Sequence, residues 1–246
     1  MKYTKKAELH CHTTSNDMFG ISFMYESVMS PQDMLFQALK QNISIIAITD
    51  HDYMGGYYKA EKIVREHNLP LILLPAAEIT TKEGHLLAYG ISKELPFESP
   101  LKQALEEVHR QGGIGIAAHP FMGEYGMKEA VFSHDIDGIE GFNAMTFKKR
   151  ENHRAKEAAE RLDLPSIAGS DAHQPGAIGK GSVWFKESVT TVTDVIQAIK
   201  RKDFVTTESH PNLLRLTWDQ AWGHGKIYGK KLMRSSRSQE IAITSS

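Results

Sequence analysis

Ala7-Glu8-Leu9-His10-Cys11-His12 decides how the rest of this chain is read. Apolar and polar residues alternate through it, the period of a half-buried strand. Side chains two apart share a strand face, so His10 and His12 stand together and Cys11 points the other way. An open doubly wound sheet places a glycine-rich phosphate loop after its first strand. Here a His-x-His pair occupies that place, which points to strands that deliver metal ligands rather than to a dinucleotide fold.

The same event recurs downstream. Thr49-Asp50-His51-Asp52 follows an apolar run at 43–49, and Glu78 follows one at 71–74. His119 ends the run at 114–118, Asn143 the run at 138–142, and Asp171-Ala172-His173 the run at 166–169. Residues 182–185 and 204–207 read as further strands, and 85–91 as an edge strand. Helical patterns lie between them. Ser30-Pro31-Gln32-Asp33 opens one, with serine as N-cap and proline in the first turn. Ser99-Pro100 caps another, which Gln111-Gly112-Gly113 stops. About seven β-then-α units predict a parallel sheet closed into a barrel, with no internal repeat and one domain over residues 1–210. Barrels of this kind build active sites where the chain leaves each strand.

Bulk composition excludes several classes. The 246 residues are 41% hydrophobic and 24% charged, ordinary for a globular chain. Lys+Arg 29 against Asp+Glu 30 leaves no global field to favour nucleic acid or a membrane surface. The single cysteine, Cys11, permits no internal disulfide, which fits a reducing cytoplasm. Residues 1–6 are polar and basic, with no signal-peptide core behind them, and no apolar run approaches a membrane span. A soluble cytoplasmic protein is expected. Residues 211–246 read as a basic C-terminal extension expected to fray at its end, either a loosely packed surface tail or an arm that touches a phosphorylated or nucleic-acid substrate.

Singly, each cluster has a bland explanation. His-x-His is often surface or core histidine, and Asp17 sits where aspartate forms turns. Asp50 either caps the following helix or orients a histidine from behind. Glu78 and His119 could be satisfied core groups. One such coincidence at every strand exit is harder to accept than a shared metal site, because histidine and carboxylate together suit zinc, manganese and iron. The seven other histidines (His67, His85, His109, His134, His153, His210 and His224) lack this placement and read as surface or structural. His85 is the closest of them in sequence to Glu78.

The ordered set His-x-His, Asp, Thr-Asp-His, Glu, His-Pro, Asp-x-His resembles the PHP domain, the polymerase and histidinol phosphatase family, from about residue 7 to about 207. The resemblance implies a distorted (β/α)7 TIM-like barrel, α/β in class, with a centre of two or three metals. It implies that His10, His12, Glu78 and Asp171 hold one ion. Glu78 bridges to a second at His119, and Asp17, His51 and His173 hold a third. Asn143 stands where many members have another histidine. Between Glu78 and His119 there is room for only a strand and a helix, so no large capping domain is expected.

The chemistry expected is hydrolysis of a phosphomonoester, nucleotide or small metabolite, by a metal-bound hydroxide held at Glu78, with Asp50 behind it. Asn143 and Arg150, the latter beside Lys148 and Lys149, are candidate phosphate contacts. The alternatives are a phosphodiesterase or exonuclease on short nucleic acid, and a non-catalytic metal-binding module. The sequence does not choose the metal or the oligomeric state.

Overall fold

The fold is that of a computed structural model, which describes residues 2–14 and 27–211. The expected ligand Asp17 and nearly all of the expected basic extension, 212–246, lie outside the described residues.

Among the described residues, ten strands and five α-helices follow one another. They are β1 Tyr3–Cys11, α1 Pro31–Lys40, β2 Ile43–Ile48, α2 Gly55–Glu66, β3 Ile72–Leu74, β4 Ala76–Thr81 and β5 Gly84–Tyr89. Then come α3 Leu101–Arg110, β6 Ile114–Ala117, β7 Gly138–Asn143, α4 Lys149–Arg161, β8 Ser166–Gly169, β9 Gly181–Lys186, α5 Val192–Lys200 and β10 Val205–Glu208. The strand and helix positions expected from periodicity are present, with shifts of a residue or two at their ends.

The closed (β/α)7 barrel is not. The strands form two five-stranded sheets, ordered β10-β9-β1-β2-β3 and β4-β5-β6-β7-β8. Parallel ladders run through β1-β2-β3 and β6-β7-β8. The β4-β5, β5-β6, β1-β9 and β9-β10 pairs are antiparallel. The reason is connection length. Only Pro75 separates β3 from β4 and only a tight turn separates β4 from β5, and a parallel return needs a crossover of a dozen residues or more. The strand expected at 85–91 is no edge: β5 is buried along its length between β4 and β6.

The sheets share one core. Ala7, Leu9, Ile45 and Leu74 of the first pack with Leu87, Tyr89, Ile116 and Ile167 of the second, and Val195 and Ile199 of α5 complete it. The Tyr89 hydroxyl donates to the Leu9 carbonyl across that core at 2.8 Å. Helices α1 and α2 cover the first sheet through Met34, Leu35, Ala38 and Ala60, and α3 and α4 cover the second. α1 starts as expected: the Ser30 hydroxyl accepts the Asp33 N–H, and the Asp33 carboxylate accepts the Ser30 N–H. α3 does not. Pro100 is its N-cap without a side-chain bond, and the Glu83 carboxylate takes the Leu101 N–H at 2.7 Å. No helix among the described residues is long and apolar enough to cross a membrane.

Candidate metal centre

The two sheets touch at two seams, and both seams carry ionisable residues. At one, the His12 N–H donates to the Ala172 carbonyl at 2.9 Å, holding the end of β1 against the chain leaving β8. At the other, the Asp52 N–H donates to the Glu78 carbonyl at 2.9 Å, joining the exit of β2 to β4. The ladder breaks where it would have to close, and the residues freed there turn inward. Three residues in or next to the cluster have left-handed backbone, Asp52 at φ 53°, His119 at φ 27° and Asp171 at φ 50°. Such strain in non-glycine residues persists only where the surroundings over-determine it.

Glu78 is the hub. One of its carboxylate oxygens, Oε2, lies 3.1 Å from His10 Nε2, 3.2 Å from His12 Nε2 and 3.4 Å from His51 Nδ1. The other, Oε1, lies 2.8 Å from His85 Nδ1 and 3.0 Å from His119 Nε2. Asp171 Oδ1 closes the first group, 3.5 Å from His10 Nε2 and 3.2 Å from His12 Nε2. His173 Nδ1 stands 3.6 Å from that oxygen. The His12 ring stacks between His51 and His173, with centroids 4.6 and 4.4 Å away.

The spacings within the first group suit donors that share one cation. Two donors each ~2.1 Å from one tetrahedral ion stand ~3.4 Å apart. His10 Nε2, His12 Nε2, Glu78 Oε2 and Asp171 Oδ1 are separated by 3.1 to 3.5 Å along the four edges measured. Both ring nitrogens of His12 and Nδ1 of His119 are buried and make no hydrogen bond. Buried polar atoms left so are costly unless something else pairs with them. Donor atoms within ligation reach of one another form four sets: His10, His12 and Glu78; His10, His119 and Asp171; His51, Glu78 and His85; His12, His51 and His173.

Burial disfavours charge here, and the groups' mutual attraction outweighs it for some and not for others. Burial would raise the Glu78 carboxyl, yet His51, His10 and His85 hold it well below the usual carboxylate range. Against the same burial, Asp171 is held low by His10, His12 and His173. Burial is overcome at His10 by Glu140, Asp171 and Glu78, which raise it well above the ordinary imidazole value. At His12, Asp171 and Glu78 overcome it and raise the ring to about 9. Burial wins at His51, which falls to about 3, and at His173, which falls to about 4 with help from His12.

Among the expected site residues, His10, His12, His51, Glu78, His119, Asp171 and His173 converge in this cluster. Asp50 neither caps α2, whose N-cap is Met54, nor hydrogen-bonds a histidine. Its two oxygens take the Thr13 N–H at 2.5 Å and the Thr13 hydroxyl at 2.7 Å, fixing the backbone just beyond His12. Asn143 does not offer itself to a substrate. It is fully buried. Its amide donates to Glu140 and Asp171 and accepts the Met145 and Thr146 N–H groups, so its hydrogen-bonding capacity is spent inside the protein. Arg150 is exposed in the first turn of α4, with Lys148 and Lys149.

Three residues of the site were not expected. His85, read as surface or structural, is 8% exposed and faces Glu78. In the β4-β5 register it pairs with Thr80 while Glu78 pairs with Leu87, so His85 sits diagonally from Glu78 on the same face. Glu140 is buried in β7, its Oε1 2.9 Å from His10 Nδ1 and its Oε2 accepting the His119 N–H at 2.8 Å. Gly169 makes room for it, since a Cβ there would lie 2.0 Å from Glu140 Oε1 and 2.7 Å from His10 Cβ. Glu8 shares the β1 face of His10 and accepts N–H groups from His10, Ser170 and Gly179. Of the other histidines described, His109 pairs with Asp137, His153 with Glu157, and His134 and His210 bond backbone carbonyls. His67 is exposed at the end of α2, and His224 lies outside the described residues.

A fold of two facing sheets with a histidine-carboxylate cluster at their seams defines a class, and comparison with known proteins places the chain within it. A family model described as PHP-associated matches residues 149–204. An uncharacterized protein of Methanocaldococcus jannaschii is 31% identical over 142 residues, 56% of this chain and 82% of that protein. A 5′-3′ exoribonuclease of Haemophilus influenzae is 24% identical over 219 residues, 87% of this chain and 72% of that protein. A solved two-domain protein of Bacteroides vulgatus, described as containing a predicted PHP-like metal-dependent phosphoesterase, superposes with a TM-score of 0.64 at 18% identity. The superposition covers 84% of this chain and 66% of that one. The chain belongs to the PHP family.

Proposed function

We propose that this protein is a metal-dependent phosphoesterase acting on phosphomonoesters. The observation that carries the reading is Glu78, a buried carboxylate whose two oxygens face different sets of histidines. In this reading His10, His12, Glu78 and Asp171 would hold one ion, and Glu78, His85 and His119 would hold a second. His51 and His173 would hold a third, together with Asp17, which lies outside the described residues. The set suits zinc, manganese or iron. Bound divalent ions would supply Lewis acidity toward phosphoryl oxygens and water of lowered pKa.

The chain's own residues do the rest. Glu140 holds the Nδ1 proton of His10, so that His10 Nε2 presents its lone pair to the centre. Asn143 anchors Asp171 through its outer oxygen and leaves Oδ1 facing His10 and His12. Asp50 secures the backbone after His12. The exposed Lys148, Lys149 and Arg150 supply positive charge for a phosphorylated substrate. Residues 1–210 act as one unit.

A second reading, hydrolysis of phosphodiesters in short nucleic acid, draws on the likeness to the exoribonuclease. Turnover by protein loaded in turn with manganese, zinc and iron separates the two. The panel is p-nitrophenyl phosphate, adenosine monophosphate, glycerol phosphate, bis-p-nitrophenyl phosphate and 5′-phosphorylated oligonucleotides. Release of phosphate from the monoesters is expected. Hydrolysis of oligonucleotides alone would select the second reading, and hydrolysis of nothing would leave a metal-binding module.

A further inference from the structure

Beside the second set of histidines stands an aromatic ring that the chemistry above does not use. Tyr125 is 51% exposed, although it belongs to a tightly held turn. Its ring centroid lies 5.2 Å from that of His85, tilted by 35°. The turn carries His119 at its start. It is closed on itself by Met122 N–H to His119 O at 2.9 Å, Gly126 N–H to Met122 O at 3.0 Å and Lys128 N–H to Pro120 O at 2.7 Å. It is also pinned to β5, where the His85 N–H donates to the Tyr125 carbonyl at 3.0 Å. The approach is close enough that a Cβ on Gly84 would lie 2.6 Å from the Met127 nitrogen. An exposed tyrosine on a mobile loop would be unremarked. This one is held against the ring of a histidine that faces Glu78.

The neighbouring loop repeats the feature. It follows β7 and joins the first through the Thr146 hydroxyl, 3.3 Å from the Met122 sulfur. It presents Phe147, 54% exposed, followed by the exposed Lys148, Lys149 and Arg150. Aromatic rings interleaved with cations next to a phosphate site are the elements by which proteins hold nucleotides: bases stack on the rings and phosphates meet the charges.

We infer that Tyr125 is a specificity-determining residue, a platform on which the base of a nucleotide substrate stacks while its phosphate lies at the Glu78 cluster. The inference rests on the phosphoesterase reading and adds the leaving group, a nucleoside rather than a small polyol. The geometry suits it. In a nucleotide one pentose separates the phosphate from a flat base, and here one histidine ring separates the cluster from a flat, open aromatic face. Stacking on an aromatic side chain is strong enough to set a preference of about tenfold without any hydrogen bond to the base edge.

The test is the ratio of kcat/KM for adenosine 5′-monophosphate to that for glycerol 3-phosphate. It is measured on metal-loaded wild type, Tyr125→Phe, Tyr125→Trp and Tyr125→Ala. Wild type is expected to prefer the nucleotide, Tyr125→Ala to lose about tenfold of that preference, mainly through KM, and the two aromatic variants to keep it. An equal fall on both substrates would overturn the proposal, because Tyr125 would then act only by packing against His85. So would an unchanged ratio in Tyr125→Ala. If the loaded enzyme hydrolyses neither substrate, the phosphomonoester reading fails, and calorimetric titration with the same two ligands still decides the role of Tyr125. About tenfold weaker nucleotide binding in Tyr125→Ala would support it, and no nucleotide binding by wild type would end it.

Discussion

Replacing Glu140 by glutamine tests how the centre is held together without touching a proposed metal ligand. Three donors face the Glu140 carboxylate. His10 Nδ1 lies 2.9 Å from one oxygen, and the His119 N–H and the Asn143 amide lie 2.8 and 3.0 Å from the other. A glutamine keeps the shape but has one oxygen and one NH2 group. The oxygen goes where two donors converge, so the NH2 group turns toward His10 Nδ1. His10 must then accept at Nδ1 and carry its proton on Nε2, the atom 3.1 Å from Glu78 Oε2. That proton occupies the lone pair that would bind the metal. Partners of this kind are worth about 10–100-fold in metal affinity, and Glu140 serves two proposed ligands at once, so Glu140→Gln should weaken binding toward the upper end of that range. Manganese affinity by competition with a chromophoric chelator measures it, with circular dichroism and the melting temperature of the metal-free variant as the folding control. A folded Glu140→Gln that binds manganese within about twofold of wild type would refute the reasoning.

Further outcomes follow from the same geometry. His85→Ala should stay folded and bind fewer ions per chain by metal analysis, because Glu78 Oε1 would retain only His119; an unchanged stoichiometry would remove His85 from the set. Metal uptake at pH 7 should release protons. The His12 ring, raised to about 9, is protonated in the metal-free protein and must lose that proton to ligate. Affinity should therefore climb with pH from the ordinary imidazole range toward about 9, and binding heats in two buffers of different ionisation enthalpy should differ; equal heats would contradict this. Metal at a hundred times its Kd should stabilise the fold by about 2.7 kcal/mol, read as a rise in Tm that chelation reverses.

Strand β1 carries His10 and His12 on one face as its alternation requires, but it is buried on both faces over residues 7–11 rather than half-buried. The convergence of Glu78, His119 and Asp171 was visible because each ends or follows an apolar run. The closed barrel was not there to be found. Its expectation came from counting β-then-α units, and that count passed over Pro75 and the short turn at 82–83, neither of which leaves room for a helix. Recognising that hairpin would also have exposed His85, since its register sets His85 diagonally from Glu78. Glu140 carried a signal too, a carboxylate inside an otherwise apolar strand, which must be paired if buried. Asn143, the polar residue at the end of that strand, is bonded to Glu140 and Asp171 and serves them rather than a substrate. The direction of Asp50 depends on which backbone lies opposite it, and that partner, Thr13, is 37 residues away in sequence.

The central claim is that one carboxylate, Glu78, joins two cations through its separate oxygens. Anomalous diffraction from manganese-soaked crystals tests it most directly. The account predicts strong peaks within coordination distance of both Glu78 oxygens, one bounded by His10, His12 and Asp171 and the other by His85 and His119. Peaks confined to the surface, or a Glu78 that contacts no ion in metal-saturated crystals, would contradict it.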